Sequence, residues 1–498
     1  MSITTRSSVL AVKVEPSEGV LTQPGAADYL AMQDDMEMSA EFENLENAEL
    51  KNSLGKAKPI TGSESPSASF SHYLRHSGVE GQAPNFGEIL KAGFGAEVVA
   101  STEYDTVAAS TVSVIKVDAG EGVNFERGQS VLVKDSANGY SIRPVESVSG
   151  DDLTLGMNLE NAPGVGIALG KCVLYKPADK NHQSLSIFNY IGNSGAVQAM
   201  AGARVTEIGA SFEAGGLINA AFSFEGIEYF MNPMTTSATD SYIDWTDDQG
   251  TAAASVAVKS YKDPHELADA IAIAMNGQTS ETVTCEYSDL TGAYTFTCTG
   301  AVFSMLWNTG ANAANTIAEL LNFSAAGDDT GALTYSGSPV DFSAPHSPAF
   351  DDSDPNVAKN NELYLGDADS IACVQASNVE FTVSTPKRDI ESVCAVSGKS
   401  GSIINEREVT VSVTALLDQY DVDKFRRFRE NANTKMLYNF GKKVGGNWVS
   451  GAAGSIYMPS AVISSFSISD DDGLATLEIE LSAYVDNAGN GEVYLTFV

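Results

Sequence analysis

The chain has 498 residues, with 65 acidic side chains against 29 basic ones and a formal charge of −36, which excludes a protein that grips nucleic acid through clustered Lys and Arg. With 43% apolar and only 19% charged residues it is not a disordered acidic chain either; it folds, and its length allows two to four domains. No run approaches the roughly 20 apolar residues of a membrane-spanning helix, so no membrane insertion is expected.

The first residues, MSITTRSSVLAVKVEPSEGV, hold one early Arg and an apolar run of only Val9 to Val12, which does not read as a secretion signal. Cys172, Cys285, Cys298, Cys373 and Cys394 are odd in number and lack CxxC spacing, so neither a disulfide scaffold nor a zinc ribbon is expected, and a reducing site of synthesis fits best. The 44 glycines and the short apolar runs broken by turn residues favour a mainly β fold.

In chain order, residues 1–60 mix Pro16, Gly19, Pro24 and Gly25 with acids and isolated apolar residues, and read as an extended arm lying on some other surface. From Ser67 strict alternation begins, with Ala68, Phe70, His72 and Leu74 on one side of a half-buried strand. A short helix is expected near Phe86 to Gly93. Residues 107–178 read as a small autonomous β unit, from TVSVIKV to KCVLYK, with turn residues between the runs. ARVTEIGASF and INAAFSFEG, joined through Gly215 and Gly216, form a hairpin pattern within 179–236.

Residues 237–345 break the β rhythm. Asp263, Pro264 and Glu266 supply an N-cap, a first-turn Pro and a capping-box acid for a helix whose apolar face is Leu267, Ala270, Ile271, Ala274 and Met275. A hairpin follows, with Val283, Cys285 and Tyr287 against Tyr294, Phe296 and Cys298, and then a second short helix near Thr316 to Leu321. This small α+β insertion carries fourteen acids against Lys259 and Lys262, a balance of −12. From 346 to 498 the strands VEFTVST, REVTVSVTAL, AVISSFSIS, ATLEIELSAYV and EVYLTFV alternate, with a hairpin turn at DDDG, 470–473. Between them lies a helix, DVDKFRRFRENAN, capped by Asp421 or Asp423.

Catalytic and ligand motifs fail on spacing. SGKSG at 397–401 has Val393 where a phosphate loop needs its first Gly, and PGVGIALG at 163–170 misses the dinucleotide fingerprint by one residue. His265 and Glu266 begin a zincin-like pattern that ends on Asp269, and DDDG has Ile468 where a calcium loop needs an oxygen ligand. The five histidines, His72, His76, His182, His265 and His346, are scattered away from any Ser or Cys nucleophile setting. No enzyme activity, cofactor or metal is expected. Cys285 and Cys298 share one face of a hairpin, which leaves a disulfide geometrically open and makes burial as small apolar residues the better reading. The one basic cluster is on the KFRRFRE helix, where Lys424, Arg426, Arg427 and Arg429 flank a buried stripe of Phe425 and Phe428. A solvated face competes there with docking against the acidic surface of a neighbouring copy.

Four stretches carry a family likeness: VEPSEGVLTQPGAADYLAMQDD, SHYLRHSGVEGQAPNFGEILKAGFG, ARVTEIGASFEAGGLINAAFSFEG, and the long run that begins SGSIINEREVTVSVTALLDQYDVDKFRRFRENANTK and ends MPSAVISSF. In pattern and order the chain resembles the tail tube (major tail) proteins of siphophages, over most of 10–106, 184–232 and 370–498. The block FSMLWNTGANAANTIAELLNFSAAGDDTGALTYSG is similar to a module appended to phage structural proteins.

The resemblance implies a mainly β, tail-tube-like sandwich or barrel subunit with a flanking helix and an extended N-terminal arm. Its frame is 1–106, 179–236 and 346–498, and 107–178 and 237–345 are insertions projecting from it. It further implies hexameric rings stacking into a hollow tail that conducts DNA at ejection, with the tail tip, terminator and tape-measure proteins as partners, made in the host cytoplasm and resident in the virion tail. Pro16, Gly19, Pro24, Tyr29 and Leu30 are then expected in an inter-ring arm, Lys424, Arg426, Arg427 and Arg429 at a subunit contact, and Glu207, Glu478 and Glu480 on a DNA-repelling lumen wall. The alternative is a virion decoration protein or receptor-binding adhesin, in which 237–345 contacts a host surface.

Overall fold

The strand Ala196–Glu213 organises the fold. Its first half pairs with Leu185–Ile191 and Glu228–Met231, its second with Ala376–Ser384 and Asn219–Glu225. One strand serves four neighbours because the chain is irregular at Gly202, whose φ of +67° glycine adopts without steric cost. The computed structural model describes all residues except 1–3, 50, 51, 53, 193, 194, 352, 418–421, 472 and 487–490.

From the second half of that strand an antiparallel sheet extends both ways. Its order is Ala461–Asp471, Leu474–Ala483, Glu408–Leu416, Ala376–Ser384, Ala196–Glu213, Asn219–Glu225, Ile60–Tyr73 and Glu37–Leu45. One face sends Ile479, Val411, Phe381, Ile208, Phe222 and Phe70 into the main core. Against it packs a second sheet, ordered Glu362–Gly366, Lys435–Val444, Asn447–Met458, Tyr494–Phe497, Cys172–Pro177 and Gly95–Ala100. Helix α1, Gly87–Phe94, packs so tightly beside them that a Cβ on Gly93 would fall 2.5 Å from Ile208 Cδ1. This is a mainly β sandwich with a flanking helix.

The far face of the second sheet is buried as well. A six-stranded unit between Tyr104 and Leu169 has its own cluster around Ile115, Val131, Val145 and Leu153. It presses Leu132 and Ile142 onto Trp448 and Ala453, and Met157 onto Leu437, Tyr457 and Tyr494. The run KCVLYK, expected to close this unit near 178, belongs instead to the frame, where Cys172–Pro177 pairs with Tyr494–Phe497 and Gly95–Ala100. A strand covered on both faces is apolar almost throughout and carries no parity to show which sheet it joins.

The N-terminal segment corrects a second expectation. Val9–Val14 is a strand of the frame, paired residue by residue with Leu185–Ile191, and Leu10 and Ala11 are fully buried. The following turn is pinned to the irregular point of the long strand. The buried Glu15 carboxylate accepts from Gly202 N at 2.8 Å, Gly19 N at 2.9 Å and Ser186 Oγ at 2.9 Å, and burial raises its pKa. The host surface of this segment is its own subunit.

The α+β module is built around α2, Pro264–Asn276, capped by Asp263, whose carboxylate accepts from Glu266 N at 2.9 Å. Leu267, Ile271 and Met275 pack with Trp245, Tyr294, Phe296 and Trp307. The expected helix at Thr316 to Leu321 is a set of turns: Ile317, Ala318 and Leu321 are fully buried without one, and Asn322 reverses the chain at a φ of +59°. In the hairpin, Val283 is opposite Cys298 and Cys285 opposite Phe296, so the two thiols are offset, and both are free and buried. A thiol reagent is expected to modify only the exposed Cys373 and Cys394 in the native protein and all five cysteines after denaturation; fast reaction of a further thiol in the native state would contradict the packing. Of the DDDG turn, Asp470 accepts from Gly473 N at 2.7 Å, and Asp472 lies outside the described residues.

Candidate functional site

The sheet face turned away from the core has an unusual composition. Along Leu474–Ala483, buried Leu477, Ile479 and Leu481 alternate with exposed Glu478 and Glu480, and the same parity runs across the neighbouring strands. The face collects Glu37, Glu41, Glu225, Glu207, Glu213, Glu380, Glu408, Glu478 and Glu480. Between them stand Ser, Thr, Asn, Ala and Gly. Among the described residues of these eight strands the single Lys or Arg is Arg204, and it is held by Glu18 at 2.6 Å.

The register keeps these charges apart. Glu478 lies opposite Thr414 and Ser467, Glu480 opposite Ser412 and Ser465, Glu380 opposite Ser211 and Ser412, and Glu207 opposite Ser223 and Ser384. Like charges directly across a strand pair repel, and here each of these acids faces hydroxyls instead. Two hydroxyls donate to Glu478, Ser467 Oγ at 3.1 Å and Ser469 Oγ at 2.8 Å. Carboxylates are thus spread over the face, and the cations that reach it among the described residues, Arg204 and Lys399 at Ser65, are ion-paired with Glu18 and Asp389, which leaves the surface predominantly negative.

Both flanks of this sheet are open. Glu37–Leu45 pairs only with Ile60–Tyr73, and Ala461–Asp471 only with Leu474–Ala483, among the described residues. Phe42 and Leu45 on one edge strand and Ile468 on the other are exposed. Long unpaired edges with apolar side chains are templates for pairing with another chain.

Glu207, Glu478 and Glu480 therefore share one exposed face. Sequence reasoning missed Glu380 and Glu408, although the parity of VEFTVST and REVTVSVTAL held the same signal. Of the arm residues, Pro16 is exposed and Gly19 half-buried, whereas Pro24, Tyr29 and Leu30 are buried within the subunit. That burial removes Tyr29 and Leu30 from any surface another ring could touch.

The basic helix α3, Val422–Glu430, is also corrected in part. Arg427 is turned inward, with Nη2 2.5 Å from Asp367 and Nε 2.7 Å from Asp423, and it holds both carboxyls below their ordinary pKa. Arg426 also pairs with Asp423 and Arg429 with Glu430, so these three arginines are engaged inside the subunit; Lys424 is half-buried. Phe425 and Phe428 do not form a buried stripe: they lean on Phe466 and stay partly exposed. Asp421, the other expected cap, lies outside the described residues.

The remaining motifs are structural. Lys399 of SGKSG is buried in a hairpin and paired with Asp389 at 2.6 Å. Burial lowers the pKa of His76 to about 4. No group of three or more potential metal ligands occurs among the described residues, and none of their helices is long and apolar enough to cross a membrane.

Comparison with known families supplies the deciding observation. The family model described as phage tail tube protein matches residues 5–291, more than half of the chain. The chain belongs to the phage tail tube family. That family is a structural, non-enzymatic one, and membership makes the chain a virion tail component. Strands beyond the match, including Glu408–Leu416 and Leu474–Ala483, complete the sheet begun within it. Among solved structures, the chain is similar to a chain of the virion of a native gene transfer agent particle, at 14% identity over 25% of this chain and 92% of that one. The TM-score is 0.18, and the likeness carries no argument. No curated protein matches the chain.

Proposed function

We propose that this tail tube protein closes its open sheet against copies of itself to form a ring of six, and that rings stack into the hollow tube of a long non-contractile tail through which DNA passes. The observation that carries this reading is the eight-stranded sheet with two edges unpaired among the described residues and one face of carboxylates and hydroxyls. Closure pairs the edges, which removes the aggregation hazard, and turns the acidic face toward the bore. A phosphate backbone meets no unpaired cation on those strands, among the described residues, at which to stall.

The unit at 104–169 supports the same orientation, because it covers the second sheet on the side away from the carboxylates. The α+β module is attached at the other half of Ala196–Glu213, where Phe342 and Ala344 pack beside Phe188, Val197 and Phe230, and it leaves the carboxylates exposed. In this reading both insertions decorate the tube, and the tail tip, terminator and tape-measure proteins are the further partners. Electron microscopy of the purified protein is expected to show rings or polymers with a hollow axis. A compact monomer or trimer under all conditions would favour the adhesin reading.

A further inference from the structure

A cavity of about 190 Å³ lies where the six-stranded unit meets the second sheet, lined from the unit by Tyr140 and Arg143 and from the sheet by Glu362 and Tyr364. Its two sides are tied together, Tyr140 N donating to Asn447 Oδ1 at 3.0 Å. Arg143 is only 2% exposed. Its Nε donates to Asn158 O at 2.9 Å and its Nη1 to Ile142 O at 2.8 Å, and the guanidinium carbon lies 4.8 Å from the centre of the Tyr364 ring. Its Nη2 takes neither a carboxylate nor a main-chain oxygen among the described residues. Arg127, Arg204, Arg407 and Arg427 each have a carboxylate inside the subunit; Arg143 has none among the described residues. A buried charge without a counter-charge is costly, and the cavity is the place where its remaining N–H groups find an acceptor.

The rest of the lining decides which acceptor. Three carboxylates, Asp135, Glu160 and Glu362, share the cavity with Arg143. Asp135 is engaged by its own loop, accepting from Asn138 Nδ2 at 2.8 Å and Ala137 N at 2.9 Å, and Glu362 is paired with Lys443. Glu160 and its neighbour Asn161 are exposed at the opening, and neither side chain has a partner among the described residues. Carboxylates on this scale oppose an anion and the guanidinium opposes a cation. A neutral ligand rich in hydroxyls uses both, since each hydroxyl donates and accepts. Tyr140, half-buried in the lining, adds a ring with an apolar body. The volume is below the roughly 300–1,000 Å³ of sites for drug-sized ligands, so it takes one ring.

We propose that this cavity binds one ring of a neutral polysaccharide. Arg143 donates to a ring hydroxyl, and Glu160 and Asn161 accept from its neighbours at the opening, where the chain of sugars continues into solvent. The site binds without cutting: glycoside hydrolysis takes a pair of acidic residues, and Glu160 is the one carboxylate of the lining left without a partner among the described residues. One subunit builds the whole site, so it stands apart from ring closure. With the carboxylate face turned to a bore, it lies on the outer side of the tube, since the unit covers the second sheet there.

The test is ligand-observed saturation-transfer NMR on the full chain, with the methyl glycosides of glucose, galactose, N-acetylglucosamine and rhamnose, whose blocked anomeric carbon imitates a chain linkage. At least one is expected to bind saturably, with a Kd on the order of 1 mM. Glu160→Ala with Asn161→Ala, both exposed, is expected to weaken that binding by roughly tenfold or more at an unchanged denaturant midpoint. Arg143→Met, which keeps bulk and removes the donors, is expected to abolish it; if that variant does not fold, the double variant decides. Methyl glucuronide, the anionic counterpart, is expected not to bind. No saturable binding by any of the four glycosides, equal binding by the double variant, or preference for the glucuronide would overturn the assignment, and binding confined to the free reducing sugars would refute a chain-borne ring. All of these are read on the subunit, so a failure here leaves the tube reading untouched, and a subunit that forms no tubes is still tested.

Discussion

Assembled protein carrying Lys at Glu207, Glu380, Glu478 and Glu480 is expected to retain double-stranded DNA that the parent releases. All four positions are exposed and lie opposite Ser or Thr, so lysine side chains meet neither a clash nor a buried partner, and fold stability should move by only about 0.5 kcal/mol per site. Each change shifts the face by two charges and places a cation where there was none. DNA held through phosphates loses affinity steeply with salt, by roughly 10³-fold or more between about 50 and 200 mM when six or more phosphates are neutralised. Co-sedimentation with linear DNA at those two salt concentrations reads the effect. Salt-sensitive retention by the variant and none by the parent is the expected pair of results; equal behaviour of the two would show that the face does not meet DNA.

Deleting residues 1–14 is expected to cost the folded subunit, where loss of a free arm would cost only assembly. The deletion removes the partner of Leu185–Ile191 and uncovers two clusters, one holding Leu10 and Val12 and the other Val9 and Ala11. A milder version separates the two outcomes. Leu10→Ala should lower stability by about 2–5 kcal/mol, the range for a fully buried leucine, out of the roughly 5–15 kcal/mol that a domain has. Pro16→Ala, at an exposed turn, should move it by less than about 0.5 kcal/mol. Denaturant midpoints of the two variants check this; a Leu10→Ala midpoint equal to wild type would return the segment to the status of an arm.

The contrast between such positions shows where sequence was informative. Parity works for a strand with one wet face, so the alternation of Leu477, Glu478, Ile479 and Glu480 marks one buried and one exposed side in the structure as it does in the sequence. The cap of α2 was legible because Asp263, Pro264 and Glu266 act within one turn. Val9–Val14 was not, because its partner Leu185–Ile191 lies far downstream and the Pro and Gly residues after it resemble a linker. Arg427 is indistinguishable in sequence from the other arginines of its helix, since helical spacing does not reveal a carboxylate at Asp367, 60 residues away. Ile317, Ala318 and Leu321 mimicked a helical stripe because turns in a tight core can bury the same spacing.

Whether the carboxylate face lines a bore is decided by a cryo-electron microscopy reconstruction of the assembled protein. Glu207, Glu380, Glu478 and Glu480 are expected on the inner wall, with Glu37–Leu45 and Ala461–Asp471 joined to neighbouring copies. Finding those glutamates on the outer surface, or packed between subunits, would contradict the proposed tube.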